Sequence, residues 1–171
     1  MPRTLHALVI NPNTSASVTE RLLAALSPGL RGVQLHGATA AFGAPYIADE
    51  ASYCIAGHAV LDAWTRAQVG APAAGYAAVL VGCFGDPGLH ALREVAGMPV
   101  LGLAQAAVLA LQRQGHQRIA IVTGGEKWAP MLQRWARAEG HAVPPMGSSA
   151  QIVHITALPA TGLQMMQAPE A

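Results

Sequence analysis

Cys83 closes an apolar run, Ala77-Ala78-Val79-Leu80-Val81-Gly82, and opens the turn-forming stretch Phe84-Gly85-Asp86-Pro87-Gly88. Asp is a favoured N-cap and Pro suits the first helical position, so the segment reads as a strand, a turn and a helix starting at Pro87. This reading sets the thiol near the positive end of a helix dipole, where thiolate is favoured and a cysteine reacts at neutral pH. The same field would stabilise an enolate-like carbanion, formed when a proton leaves a carbon beside a carbonyl. Asp86, as a capping anion, offsets part of that field. The plainer alternative is a small buried apolar residue, the commonest role of a free cysteine.

Two other loops carry polar groups suited to a ligand. Asn11-Pro12-Asn13-Thr14-Ser15 follows the first apolar run. The segment Ser17-Val18-Thr19-Glu20 reads as a capping box that starts a helix at Ser17, leaving the amides of Asn13, Thr14 and Ser15 to attract a substrate carboxylate. A turn rich in capping residues is the competing reading. Thr123-Gly124-Gly125 offers a hydroxyl and close backbone approach, and the Gly pair alone is weak evidence. Lys127 lacks the GxxxxGK[ST] frame and no GxGxxG occurs, so no nucleotide or dinucleotide cofactor is indicated. Cys54 falls in mid-helix with no special neighbour. Of the histidines, His58 and His90 fall in helices, His36 and His154 near strands, and His6, His116 and His141 at surface or boundary positions. None has the spacing of a metal site, and none is an evident base for Cys83.

The elements that must hold these loops alternate along the chain. Runs at 5–10, 33–36, 77–82, 100–102, 119–123 and 152–155 read as strands. Between them lie helical patterns: Val18, Leu22, Leu23 and Leu26; Ile55, Ala56, Ala59, Val60, Ala63, Trp64 and Ala67; a short helix over 87–95; another over 104–114; and Trp128, Met131, Leu132 and Trp135. The runs at 77–82 and 119–122 lack clean alternation, which suits strands covered on both faces. The fold class is therefore α/β, with a doubly wound parallel sheet. In such sheets ligands bind beyond the carboxyl ends of strands, where all three loops lie. Residues 69–75 read as a surface loop, 144–149 as a chain break, Met165-Met166 as packing, and the three Trp as core or interface.

Bulk composition narrows the partners. The chain is 52% hydrophobic and 11% charged with a net charge of +1, and its basic residues are scattered, so neither nucleic acid nor an anionic membrane is expected. The longest apolar candidate, 99–111, is too short for a membrane span and contains Gln105. The N-terminus lacks signal-peptide features. Two cysteines are too few for a disulfide scaffold, and a reducing, cytoplasmic setting fits. A small-molecule partner follows.

The strand with Asn11-Pro12-Asn13-Thr14-Ser15, the stretch Cys83-Phe84-Gly85-Asp86-Pro87-Gly88-Leu89, the run from Pro99 through Gln105 to Ala107, and Ile121-Val122-Thr123 together resemble the hydantoin racemase branch of the Asp/Glu racemase superfamily. The resemblance covers nearly the whole chain, and its Cys-Phe-Gly-Asp-Pro-Gly-Leu stretch is the most specific part. It implies two similar α/β lobes, residues 1–100 and the beginning of a second lobe at 101–171, with substrate between them and neither pyridoxal phosphate nor metal. It implies that one thiolate removes the α-proton while a second thiol delivers one to the opposite face. Cys83 is then the first-lobe acid/base, and Asn11, Asn13, Thr14 and Ser15 line the substrate side. Phe84 and Gly85 adjoin the substrate, and Thr123 and Gly124 form the second lobe's edge. The substrate implied is a small carboxylate or a cyclic ureide, and the assembly a homo-oligomer. The resemblance places the second cysteine beyond Ala171, and Cys54 cannot replace it. Gln105 stands where many relatives carry Glu. A one-cysteine decarboxylase or cis-trans isomerase, and a non-catalytic carboxylate-binding or oligomerising remnant, are the competing readings.

Overall fold

Runs of apolar residues too short for helices pair as strands, and the helical patterns between them return the chain so that successive strands are parallel. A computed structural model describes residues 4–141, 151–160, 162 and 164; the segment at 144–149 and the Met165-Met166 pair lie outside the described residues. The elements are β1 (Leu5–Asn11), α1 (Ala16–Leu26), β2 (Val33–Thr39), α2 (Glu50–Val69), β3 (Ala78–Val81), α3 (Leu89–Ala96), β4 (Val100–Gly102), α4 (Leu103–Arg113), β5 (Arg118–Gly124), α5 (Trp128–Ala138) and β6 (Gln151–Leu158). They form two compact units, Met1–Ile47 with Ala51–Ala104, and Ala48–Glu50 with Gln105–Ala171.

The first unit holds a four-stranded parallel sheet in the order β2-β1-β3-β4. One face packs against α2 and α3, where Leu8, Ile10, Val79 and Val81 meet Val60, Ala63, Trp64, Leu89 and Leu92. The other face receives α1, and two glycines set how close it comes. A Cβ on Gly37 would lie 2.7 Å from the Thr19 methyl, and one on Gly82 would lie 2.7 Å from Leu22 Cδ1. The sheet is therefore wound on both faces. Chain order reverses between β1 and β3, which makes their carboxyl ends the switch point where an α/β sheet opens a crevice.

The core assignments hold with two adjustments. On α2, Ala56, Ala59, Val60, Ala63 and Trp64 are buried, but Ile55 is 46% exposed because it lies at the rim of the helix face turned to the sheet. On α1 only Thr19 is fully buried, and Val18, Leu22, Leu23 and Leu26 are half-buried. All three Trp are buried.

The second unit pairs β5 with β6 in parallel, with an irregularity between Ile119 and Ala120. Trp128, Met131, Leu132, Trp135 and Ala136 of α5 are buried, as the i, i+3, i+4, i+7 spacing predicts. Its sheet departs from the expectation of two covered faces. Along β5, Ile119 and Ile121 are buried while Ala120 and Val122 are exposed, Val122 by 64%. The apolar run masked an alternation, because Ala and Val face solvent there in place of polar residues.

Candidate active site

The two loops that leave the switch point are those built around Asn11 and Cys83. Ile10 pairs with Val81, and Gly82 N–H donates to the Ile10 carbonyl at 2.8 Å, so β1 and β3 run side by side to their ends. A side chain on Gly82 would press on Leu22 and close this contact.

At the end of β1, Asn11 is fully buried and its side chain organises the loop. Its Nδ2 lies 2.9 Å from Asn13 Oδ1, 2.9 Å from the Ser15 carbonyl and 3.1 Å from Thr19 Oγ1. Thr19 Oγ1 continues to Thr39 Oγ1 at 2.7 Å, tying α1 to the end of β2. The expectation of free amides is corrected. Asn13 N–H donates to Asn11 Oδ1, Ser15 N–H to Asn13 Oδ1, and Thr14 N–H to the Ala44 carbonyl. Helix α1 starts one residue earlier than the capping box predicts, with Ser15 as N-cap, and the Ser15 hydroxyl meets Ser17 Oγ at 3.0 Å. Asn side-chain oxygens and the Ala44 carbonyl therefore take the donors that an anion would have taken.

At the end of β3, a turn closes from Asp86 N–H to the Cys83 carbonyl at 3.1 Å, with Gly85 at φ 113°. Asp86 follows in the left-handed region at φ 55° and Gly88 at φ 74°. A non-Gly residue held there signals local strain, and such strain concentrates at functional sites. Gly88 has no alternative, since a Cβ would lie 2.6 Å from the Gly57 carbonyl on α2. Tyr53 of α2 donates its hydroxyl to the Gly85 carbonyl and fixes the turn from above.

Asp86 does not cap the helix that follows it. That helix begins at Leu89 with Gly88 as N-cap, and Asp86 turns inward, 5% exposed, to accept from Ala104 N–H at 2.9 Å at the start of α4. Gly102 makes the room, because a Cβ there would lie 2.3 Å from the carboxyl carbon. The carboxylate thus latches the Cys83 turn onto the β4–α4 junction.

Cys83 itself is half-buried, with its thiol 3.8 Å from the Phe84 carbonyl. Burial pushes the thiol up to about 12, and the Asp86 carboxylate adds to the rise. The expected thiolate is corrected to a neutral thiol: desolvation and a nearby anion both oppose the charged form. Phe84 is half-buried and Gly85 buried in the same turn. Cys54 is exposed on α2.

Thr123 and Gly124 end β5 in the second unit, paired with Ala157 and Leu158, and Gly125 N–H is shared between the Leu158 and Ala160 carbonyls. Gln105, also in that unit, donates to the Glu139 carboxylate. No local signal marks Tyr53 or Thr39, whose roles depend on distant loops; Thr19 reads only as a helix-start residue. Among the described residues no group of three or more His, Cys, Asp or Glu could hold a metal ion, and no helix is long and apolar enough to cross a membrane.

The family model described as Asp/Glu/Hydantoin racemase matches residues 8–168. A hydantoin racemase of Pseudomonas sp. (strain NS671) is 28% identical over 164 residues, covering 95% of this chain and 61% of that protein. A hydantoin racemase of Rhizobium meliloti is 32% identical over 130 residues, covering 75% of this chain and 52% of its own length. The solved allantoin racemase from Klebsiella pneumoniae superposes with a TM-score of 0.81 at 26% identity, over 95% of this chain and 62% of that one. The chain thus spans between half and two thirds of the length of these proteins.

Proposed function

We propose that this chain, which belongs to the Asp/Glu/hydantoin racemase family, supplies Cys83 as one acid-base group of a cofactor-independent racemase or epimerase acting at the α-carbon of a hydantoin-like or amino-acid-like substrate. The observation that carries the reading is the placement of Cys83 on a strained turn at the sheet's switch point, beside the Asn11 loop.

A thiol pushed up to about 12 holds its proton at neutral pH, so Cys83 starts as the acid of the pair. A base on the opposite face takes the α-proton, the electron pair moves onto the adjoining carbonyl as an enolate, and the Cys83 S–H bond breaks to deliver its proton to the carbon. The thiolate left behind is a stronger base than an ordinary one, which suits it to remove the α-proton of the other enantiomer. Phe84 and Gly85 adjoin the substrate in this reading. Asn11 and Asn13 shape the neighbouring loop, and Thr14 and Ser15 face the substrate.

Of the two substrate classes, a cyclic ureide is favoured over an open-chain carboxylate. The amides of Asn13, Thr14 and Ser15 are already bonded within the protein, so this loop offers no amide cradle for a carboxylate. The names of the relatives agree with that choice. Free cysteines fit a reducing compartment, and assembly into a homo-oligomer is part of the reading. A single-cysteine decarboxylase remains the second reading, since a neutral thiol also suits a one-way protonation of a carbanion.

The test follows exchange of the α-hydrogen into deuterated water for both enantiomers of a 5-substituted hydantoin, allantoin, aspartate and glutamate with the purified chain. Exchange with the ureides alone is expected. Exchange only with the amino acids would overturn the substrate assignment, and none with any of them would overturn proton transfer by Cys83.

A further inference from the structure

Away from the catalytic loops, the amino end of the first sheet joins two histidines that lie 30 residues apart in the chain. His6 is the second residue of β1, and His36 lies in the adjacent β2. Register pairs His6 with Gln34 and Leu8 with His36, so both imidazoles project from the same face of the sheet. His6 Nδ1 lies 3.0 Å from His36 Nε2, with ring centroids 5.1 Å apart. Tyr76 packs edge-on against His36 at 5.5 Å.

The geometry points to a two-histidine chelating site for a divalent transition-metal ion of the Cu²⁺ or Ni²⁺ class at His6 and His36. Metal–imidazole bonds of about 2.0–2.1 Å to nitrogens 3.0 Å apart enclose an angle of about 94°. That is close to the cis angle of a square-planar or tetragonal ion, the geometry Cu²⁺ and Ni²⁺ favour, so the rings need only turn in place to meet such an ion. Both ligands stand on paired strands, so little conformational freedom is lost on binding. On the His36 side, His36, Thr39, Arg66 and Tyr76 line a cavity of about 470 Å³, large enough for water ligands. Arg66 is the cation that could repel the ion, and its Nε is already paired with Asp62 at 2.8 Å.

Without metal, one of the two facing nitrogens carries the hydrogen of an N–H···N bond. On binding, that hydrogen moves to the ring's other nitrogen, both lone pairs turn to the ion by rotation of the rings, and no net proton is released. The site does not touch the Cys83 turn and stands independently of the racemase reading.

Titration calorimetry with CuCl₂ is run on the full chain carrying Cys54→Ser and Cys83→Ser, which removes competing thiols. One site per chain is expected, with electron paramagnetic resonance showing coupling to two nitrogens. Either His6→Gln or His36→Gln should weaken the site at least about tenfold, since even outer partners of metal sites cost that much. Undiminished binding in both variants, or no site at all, overturns the assignment. A second readout needs no variant: low Cu²⁺ added to the parent chain should broaden the His6 and His36 ring-proton resonances first, and broadening led by any other histidine overturns it.

Discussion

The neutral state of Cys83 can be tested by alkylation, with the same residue in the urea-unfolded chain as the reference thiol. Burial and then Asp86 push Cys83 from an ordinary 9.0 to about 12. At pH 8 a thiol of 9.0 is about one-tenth thiolate and a thiol of 12 about one ten-thousandth, a ratio of roughly 1,000. The more basic thiolate is also more nucleophilic; with a Brønsted slope of about 0.45 this returns roughly 20-fold. Iodoacetamide should therefore label Cys83 in the folded chain roughly 40-fold more slowly than in the unfolded chain. Peptide mass spectrometry after timed quenching between pH 6.5 and 9.5 reads both rates. Asp86→Asn keeps an oxygen for the Ala104 N–H but removes the charge, so its Cys83 profile should shift to lower pH while burial keeps it above that of an ordinary thiol. Cys83 rates in the folded and unfolded chain within about threefold at pH 8, or an unmoved profile in Asp86→Asn, would refute this account of the thiol.

Three further outcomes follow from the same geometry. Gly102→Ala drives a Cβ to within 2.3–2.6 Å of three Asp86 carboxyl atoms, and urea unfolding should show a loss of about 1–3 kcal/mol; an unchanged midpoint would mean the latch is slack. Gln105→Glu sets a second carboxylate against Glu139, so melting temperature should fall at low ionic strength and recover in part at about 1 M salt, which screens the repulsion; a salt-independent effect would contradict it. The raised Cys83 value means the folded chain holds that proton more tightly than the unfolded chain does, so its contribution is full below about pH 9 and lost toward pH 12. The stability difference between the parent and Cys83→Ser should accordingly shrink by about 1.4 kcal/mol per pH unit across that window. A difference that stays flat would place the thiol in water.

The strands and helices were legible because their signals are local. Trp128, Met131, Leu132 and Trp135 each state the helix face they occupy, and all four are buried. The Cys83 stretch was legible as a turn for the same reason. What it does electrostatically was not, because Asp86 was read by its sequence neighbour Pro87 while its side chain answers to Ala104, 18 residues on. The Asn11 loop repeats the lesson. Its polar residues read as open donors, yet Asn11 and Asn13 satisfy the amides themselves and borrow Thr19 and Thr39 from other elements. On β5, Ala120 and Val122 look like core in sequence and lie exposed, since apolar type does not determine which side of a sheet is covered. The His6–His36 contact is set by strand register, which no spacing along the chain reveals.

The central claim is that Cys83 exchanges a proton with the substrate's α-carbon. Its most direct test is to incubate each enantiomer of a 5-substituted hydantoin in deuterated water with the parent chain and with Cys83→Ser, following the α-hydrogen by proton NMR and correcting for uncatalysed exchange. The enantiomer whose α-proton Cys83 removes should lose that signal with the parent and keep it with Cys83→Ser. Equal loss with both proteins for both enantiomers would contradict it.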